Sequence, residues 1–169
     1  MTGPSEGDKI LLDRRFDPGV AVTVPQASGM RVLLVEDDPG DVVMIQEVFT
    51  EALPGRLDVV GDGDAALAFL RREPPYADAA RPDLVLLDLN LPRRDGREVL
   101  AAIKTDSALE HIPVVVLTTS GSEEDVLESY RLHANGYITK PVTADTFIEV
   151  VRQIEHFFGS VARLPPSSE

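Results

Sequence analysis

Leu84-Val85-Leu86-Leu87-Asp88-Leu89-Asn90-Leu91-Pro92 is the stretch whose reading decides the fold. Its first four residues are aliphatic and run straight into an aspartate, the pattern of a strand buried on both faces. Pro92 has no backbone N–H and restricts the residue before it, so the strand ends near Asp88. A carboxylate therefore stands at the carboxyl end of an inner strand.

The same pattern recurs on both sides. Val32-Leu33-Leu34-Val35 ends in Glu36-Asp37-Asp38, and Pro39 opens a helix with Asp38 as its N-cap. Val42, Ile45, Phe49 and Leu53 share the inner face of that helix, which Pro54-Gly55 stops. Residues 57–60 read as a short second strand. Gly61-Asp62-Gly63-Asp64 turns into a second helix ending at Leu70, with Asp62 and Asp64 in turn and cap roles. A polar, proline-rich loop over 73–82 leads to the central strand. Beyond it, 96–104 predicts a third helix with Val99, Leu100 and Ile103 inward. Residues 114–117 predict a fourth strand ending in Thr118-Thr119-Ser120. Ser122-Glu123-Glu124-Asp125 predicts a capping box opening a fourth helix, which Asn135-Gly136 ends. Tyr137-Ile138-Thr139 predicts a fifth strand ending in Lys140-Pro141. Thr143 caps a last helix, expected to turn Phe147, Val150, Ile154 and Phe157 inward.

The length, 169 residues, suits one domain with tails. Residues 1–29, with scattered glycine and proline, are expected to form a flexible N-terminal extension, in which 19–24 is a weak candidate edge strand. The compact domain is expected over 30–158 and a tail over 159–169. With no cysteine, disulfides and thiolate metal sites are excluded. No apolar run reaches the ~20 residues of a membrane span, and the composition fits a cytoplasmic protein. A net charge of −13 argues against nucleic acid as a partner. His111, His133 and His156 have no metal-ligand spacing.

Strands alternating with helices imply an α/β, doubly wound parallel sheet covered on both faces. In such sheets ligands bind at the carboxyl edge of the strands. That edge collects Glu36 and Asp37, then Asp88, then Thr118, then Lys140. If those strands are neighbours, three carboxylates share one pocket. Two like charges ~4 Å apart repel by about 4 kcal/mol at an effective dielectric near 20. A divalent cation relieves this, and all-oxygen ligands suit Mg2+ or Mn2+. A carboxylate nucleophile, a metal, an ammonium and a hydroxyl together suit phosphoryl chemistry.

The order Glu-Asp, Asp, Thr, Lys-Pro resembles the receiver domain of two-component response regulators. The resemblance rests on Val35-Glu36-Asp37-Asp38, the 87–92 stretch, Asp95-Gly96, Leu117-Thr118 and Tyr137-Ile138-Thr139-Lys140-Pro141. It implies a flavodoxin-like (βα)5 fold with strand order 2-1-3-4-5. It also implies that Asp88 accepts a phosphoryl group from a histidine kinase. Asp37, Asp88 and the backbone carbonyl of Asn90 would hold the metal, with Glu36 assisting, often through water. Lys140 would pair with phosphoryl oxygens, Thr118 would swing toward them, and Tyr137 would turn inward. The Lys140–Pro141 bond is expected to be cis. A narrower resemblance lies in 89–100, 112–120 and Ser129-Tyr130-Arg131-Leu132-His133 with Asn135. These look like the stand-alone regulators paired with phytochrome-type histidine kinases.

Eleven residues follow Phe158, so output is expected by protein contact. In the family the switching face is the fourth helix, fifth strand and fifth helix. Ile148, Val151 and Phe158 flank the expected inner stripe of the last helix, which suggests a homodimer through that face. The competing readings are a small metal-dependent aspartyl-phosphate hydrolase and a docking pseudo-receiver that is never phosphorylated. A haloacid-dehalogenase-type enzyme wants a second carboxylate two residues after the nucleophile, where Asn90 stands. A pseudo-receiver is disfavoured by the complete acidic, threonine and lysine set.

Ser120, two residues after Thr118, is short for positioning a hydrolytic water, so a long-lived acyl phosphate is expected. Decay of the phosphorylated form in Ser120→Glu against wild type measures this; equal lifetimes would remove the idea.

Overall fold

The computed structural model of the chain describes residues 29–52 and 56–166. The expected edge strand at 19–24 and the helix stop at Pro54-Gly55 lie outside the described residues. The strands are β1 (Val32–Val35), β2 (Leu57–Val60), β3 (Leu84–Leu87), β4 (Val114–Thr118) and β5 (Gly136–Thr139). The helices are α1 (Pro39–Ala52), α2 (Gly63–Leu70), α3 (Gly96–Thr105), α4 (Glu123–Arg131) and α5 (Ala144–His156). All neighbouring strands are parallel, in the order β2-β1-β3-β4-β5, as the resemblance implies.

Alternation along the inner strands splits the core into two layers. Leu33, Val35, Val85, Leu87, Val114 and Val116 pack with Leu67, Leu70, Val99, Leu100 and Ile103 of α2 and α3. Val32, Leu34, Leu84, Leu86, Val115 and Leu117 pack with Ile45, Phe49, Phe147, Val151 and Ile154 of α1 and α5. β1, β3 and β4 are buried along their whole length, because helices cover both faces of each.

Four local expectations are corrected. On α5 the innermost position is Val151, fully buried, and not Val150, which is half-buried. Both sit within one turn of Phe147 and Ile154, so sequence spacing alone did not separate them. Phe157, expected inward, is 51% exposed. There the backbone widens into a π turn over Phe157–Val161, and that change of pitch carries Phe157 off the inner stripe. On α4, Ser122 caps by accepting from the Asp125 N–H, but Asp125 turns its carboxylate to Ser120 and Arg97. A reciprocal capping box forms on α3 instead, between Asp95 and Glu98. The Lys140–Pro141 bond is trans, the cis bond among the described residues being Pro74–Pro75; trans is the intrinsically favoured form of X–Pro by about 0.5–1 kcal/mol. Past 158 the chain still makes contact with the body, since Leu164 packs against the layer beneath α1 and α5.

Val151→Ala, which removes two buried methyl groups, is expected to lower urea-measured stability by about 2 kcal/mol. Phe157→Ala should change it by no more than about 0.5 kcal/mol. A larger loss for Phe157→Ala would contradict the assigned helix phase.

Candidate functional site

Strand register decides which side chains meet. Val35 pairs with Leu87, and Leu87 with Val116, so Glu36 and Asp88 leave neighbouring strands side by side. Asp88 is fixed at the strand end by donating its N–H to the Val35 carbonyl at 3.0 Å. Its Oδ1 accepts the Asn90 N–H at 3.1 Å, which orients the carboxylate. Gly96, the first residue of α3, donates to the Leu89 carbonyl at 2.8 Å. A Cβ at Gly96 would stand 2.2 Å from the Asp88 carbonyl oxygen, so only glycine lets α3 approach the Asp88 loop this closely.

Glu36, Asp37 and Asp88 place ligand oxygens within 4.8 Å of one another. Glu36 and Asp88 are buried while Asp37 is exposed, so the cluster opens to solvent on the Asp37 side. Lys140 reaches across from the end of β5, its N–H donating to the Thr118 carbonyl at 2.7 Å. Its Nζ lies 2.5 Å from Glu36, 2.9 Å from Asp88 and 2.7 Å from Asp41. Thr118 is fully buried beside them on β4. Asp41, in the first turn of α1, is the residue that sequence reading missed. It precedes Val42 on an ordinary amphipathic helix, and an acidic first turn already has a reason in the helix dipole. The only available signal was its place one turn beyond the Glu36-Asp37 strand end.

Burial pushes the Glu36 carboxyl up to about 7, against the hydrogen bonds from Lys140 and the Asp38 N–H that lower it. Burial disfavours the Lys140 ammonium, but hydrogen bonds to Asp41, Glu36 and Asp88 outweigh it and raise its pKa. Lys140 is thus a fixed cation serving three carboxylates.

A second network lies on the α3–α4 side. The Tyr137 hydroxyl donates to the Ser120 carbonyl at 2.8 Å. The Ser120 hydroxyl donates to Asp125, which also pairs with Arg97. Ser120 and Arg97 hold Asp125 below the usual carboxylate range. The sequence-selected residues therefore separate into two groups. Glu36, Asp37, Asp88 and Lys140 meet directly, and Tyr137 sits beyond Thr118 in the second network. Asn90 contributes its backbone N–H to Asp88, and the residue is exposed.

A five-stranded parallel sheet in this order, with an acidic pocket and a buried lysine at its carboxyl edge, defines a signalling receiver. The chain belongs to the response regulator receiver domain family, whose model matches residues 32–152. It is 48% identical over 135 residues to "Response regulator Rcp1" of Synechocystis sp. (strain ATCC 27184 / PCC 6803 / Kazusa), covering 79% of this chain and 92% of that protein. The crystal structure of the phosphorylated cyanobacterial phytochrome response regulator RcpA superposes with a TM-score of 0.80 at 49% identity, over 82% of this chain and all of that one. The Mn(2+)-bound form of response regulator Rcp1 gives a TM-score of 0.79 at 46% identity, over 82% of this chain and 100% of that one.

Lys140→Met leaves Glu36 and Asp88 buried without their cation and is expected to cost about 3–5 kcal/mol of unfolding free energy. Asp41→Asn, on the partly buried rim where solvent still reaches the carboxylate, is expected to cost about 1 kcal/mol. Urea titration in the presence of a chelator measures both, and equal losses would contradict the central role of Lys140.

Proposed function

We propose that this receiver accepts a phosphoryl group on Asp88 from a phosphohistidine of a histidine kinase. The observation that supports it most is the Lys140 ammonium held 2.9 Å from the Asp88 carboxylate within a cluster of acidic oxygens. In the transfer, a carboxylate oxygen of Asp88 forms the new O–P bond as the N–P bond of the kinase imidazole breaks. The imidazole leaves with the bonding electron pair. Lys140 then faces the phosphoryl oxygens, and the buried Thr118 hydroxyl is their nearest uncharged donor on β4.

The donor set also fits a divalent cation: it is all oxygen, anionic and open to solvent through Asp37. Asp37, Asp88 and the Asn90 carbonyl would hold Mg2+ or Mn2+, with Glu36 assisting. When bound, the ion would neutralise charge on the phosphoryl oxygens. The Mn(2+)-bound form of Rcp1, at 46% identity, supports this assignment. The likeness to a phytochrome response regulator at 49% identity supports a phytochrome-type kinase as partner.

Output through the α4-β5-α5 face, by contact with another protein or a second copy, is supported by Leu127 and Tyr130. These stand about half exposed on α4. Val151 no longer contributes to a dimer argument, because it is core. Among the described residues no helix is long and apolar enough to cross a membrane. The receiver unit itself is assigned to 30–158, with 1–29 and 159–169 as appendages.

Incubation with Mg2+ and a small phosphodonor, read by intact mass, tests the central assignment. Wild type is expected to gain one phosphoryl group and Asp88→Asn none. Equal outcomes for the two proteins would refute it.

A further inference from the structure

Arg97, the second residue of α3, carries a second concentration of charge. Its guanidinium lies 3.2 Å from Asp95 and 3.2 Å from Glu128 and also pairs closely with Asp125. Arg97 and Asp125 are only 23% and 20% exposed at their side chains, so the pairing is partly shielded from solvent. Asp125 spends its other oxygen on the Ser120 hydroxyl, and the Ser120 carbonyl takes the Tyr137 hydroxyl. One end of this chain of contacts is thus the loop that follows Thr118. The other end is the phosphoacceptor loop itself, because Gly96, next to Arg97, is packed onto the backbone of Asp88 and Leu89.

α4 has little else to hold it. Of its nine residues only Ser129 is buried, and the Ser129 hydroxyl has no partner. Leu127 and Tyr130 face solvent. An element with so little buried apolar area lies at the low end of local stability. The ionic contacts of Arg97, more than core packing, therefore set where α4 and residues 118–122 sit.

We propose that Arg97 is a positioning residue for the chemistry at Asp88: it clamps α4 and residues 118–122 in place, and releasing it makes Asp88 easier to phosphorylate. This rests on the reading of Asp88 as phosphoacceptor. Leu117 of β4 is level with Asp88, one step beyond the Leu87–Val116 pair. A phosphoryl group on Asp88 must therefore be accommodated against the loop that starts at Thr118. Contacts that favour the present place of that loop oppose its rearrangement, and the coupling acts equally in both directions.

The test follows mass gain of the full chain with Mg2+ and phosphoramidate at a subsaturating concentration. Arg97→Met is expected to take up phosphoryl groups about fivefold faster than wild type, a typical coupling between sites. Arg97→Lys should fall between the two, since an ammonium holds Asp125 but lacks the fork that also engages Asp95 and Glu128. Adding Arg97→Met to Asp125→Asn should give little further acceleration, because both cut one network. Lys104→Met is the control for simple destabilisation. Lys104 Nζ donates to the Glu110 and Ile112 carbonyls at the far end of α3, and its loss should lower Tm without changing uptake. Equal uptake by Arg97→Met and wild type overturns the proposal, as does equal acceleration in Lys104→Met. If wild type gains no phosphoryl group at all, the reading of Asp88 fails first and the proposal falls with it.

Discussion

The Lys140 ammonium and the carboxylates around it constrain everything else at the carboxyl edge of the sheet. Glu36, Asp88 and Asp41 all sit within 3 Å of its Nζ. Two of those carboxylates are buried, where unpaired charge is costly. The arrangement persists because β5 is followed by Lys140, a side chain long enough to cross from the sheet edge to α1, and because the Lys140 N–H is pinned to Thr118. The same crowding keeps the pocket short of positive charge. That shortage makes the acidic oxygens a receptive place for a cation.

Close backbone packing does the rest of the positioning. Asp88 is held by its N–H on β1 and by its Oδ1 on the Asn90 N–H. Gly96 lets α3 press directly on that loop. The Asp88 side thus belongs to the rigid, doubly covered centre of the sheet. α4 differs, since its attachment is mainly polar. Rigid chemistry therefore stands next to an element that a small change in charge can move, a combination suited to signalling.

The relatives place this division in context. Receiver domains are signalling modules, and the similar regulators Rcp1 and RcpA share nearly half of their residues with this chain over the aligned region. Arg97 and Asp125 add a polar connection between the Asp88 loop and α4 that the family resemblance did not indicate.

The sequence by itself determined the strands, the burial of the central one and the polar residues at the carboxyl ends of the first, third, fourth and fifth. A run such as Val85-Leu86-Leu87 before Asp88 carries that information locally, in hydrophobic pattern and in a proline that halts the strand. It also determined Asp62 and Thr143 as caps, since capping depends on near neighbours. Tertiary structure alone decided three things. Strand adjacency set which carboxylates meet, and no local pattern encodes register between strands far apart in the chain. The choice of Val151 over Val150 depended on how α5 rotates against the sheet, because both residues satisfy helical spacing. Asp41 and Asp125 acquired their partners only when Lys140 and Arg97 arrived from other elements, 99 and 28 residues away. An acidic residue in a first helical turn looks the same in sequence whether it serves the helix dipole or a distant cation, and only folding chooses between them.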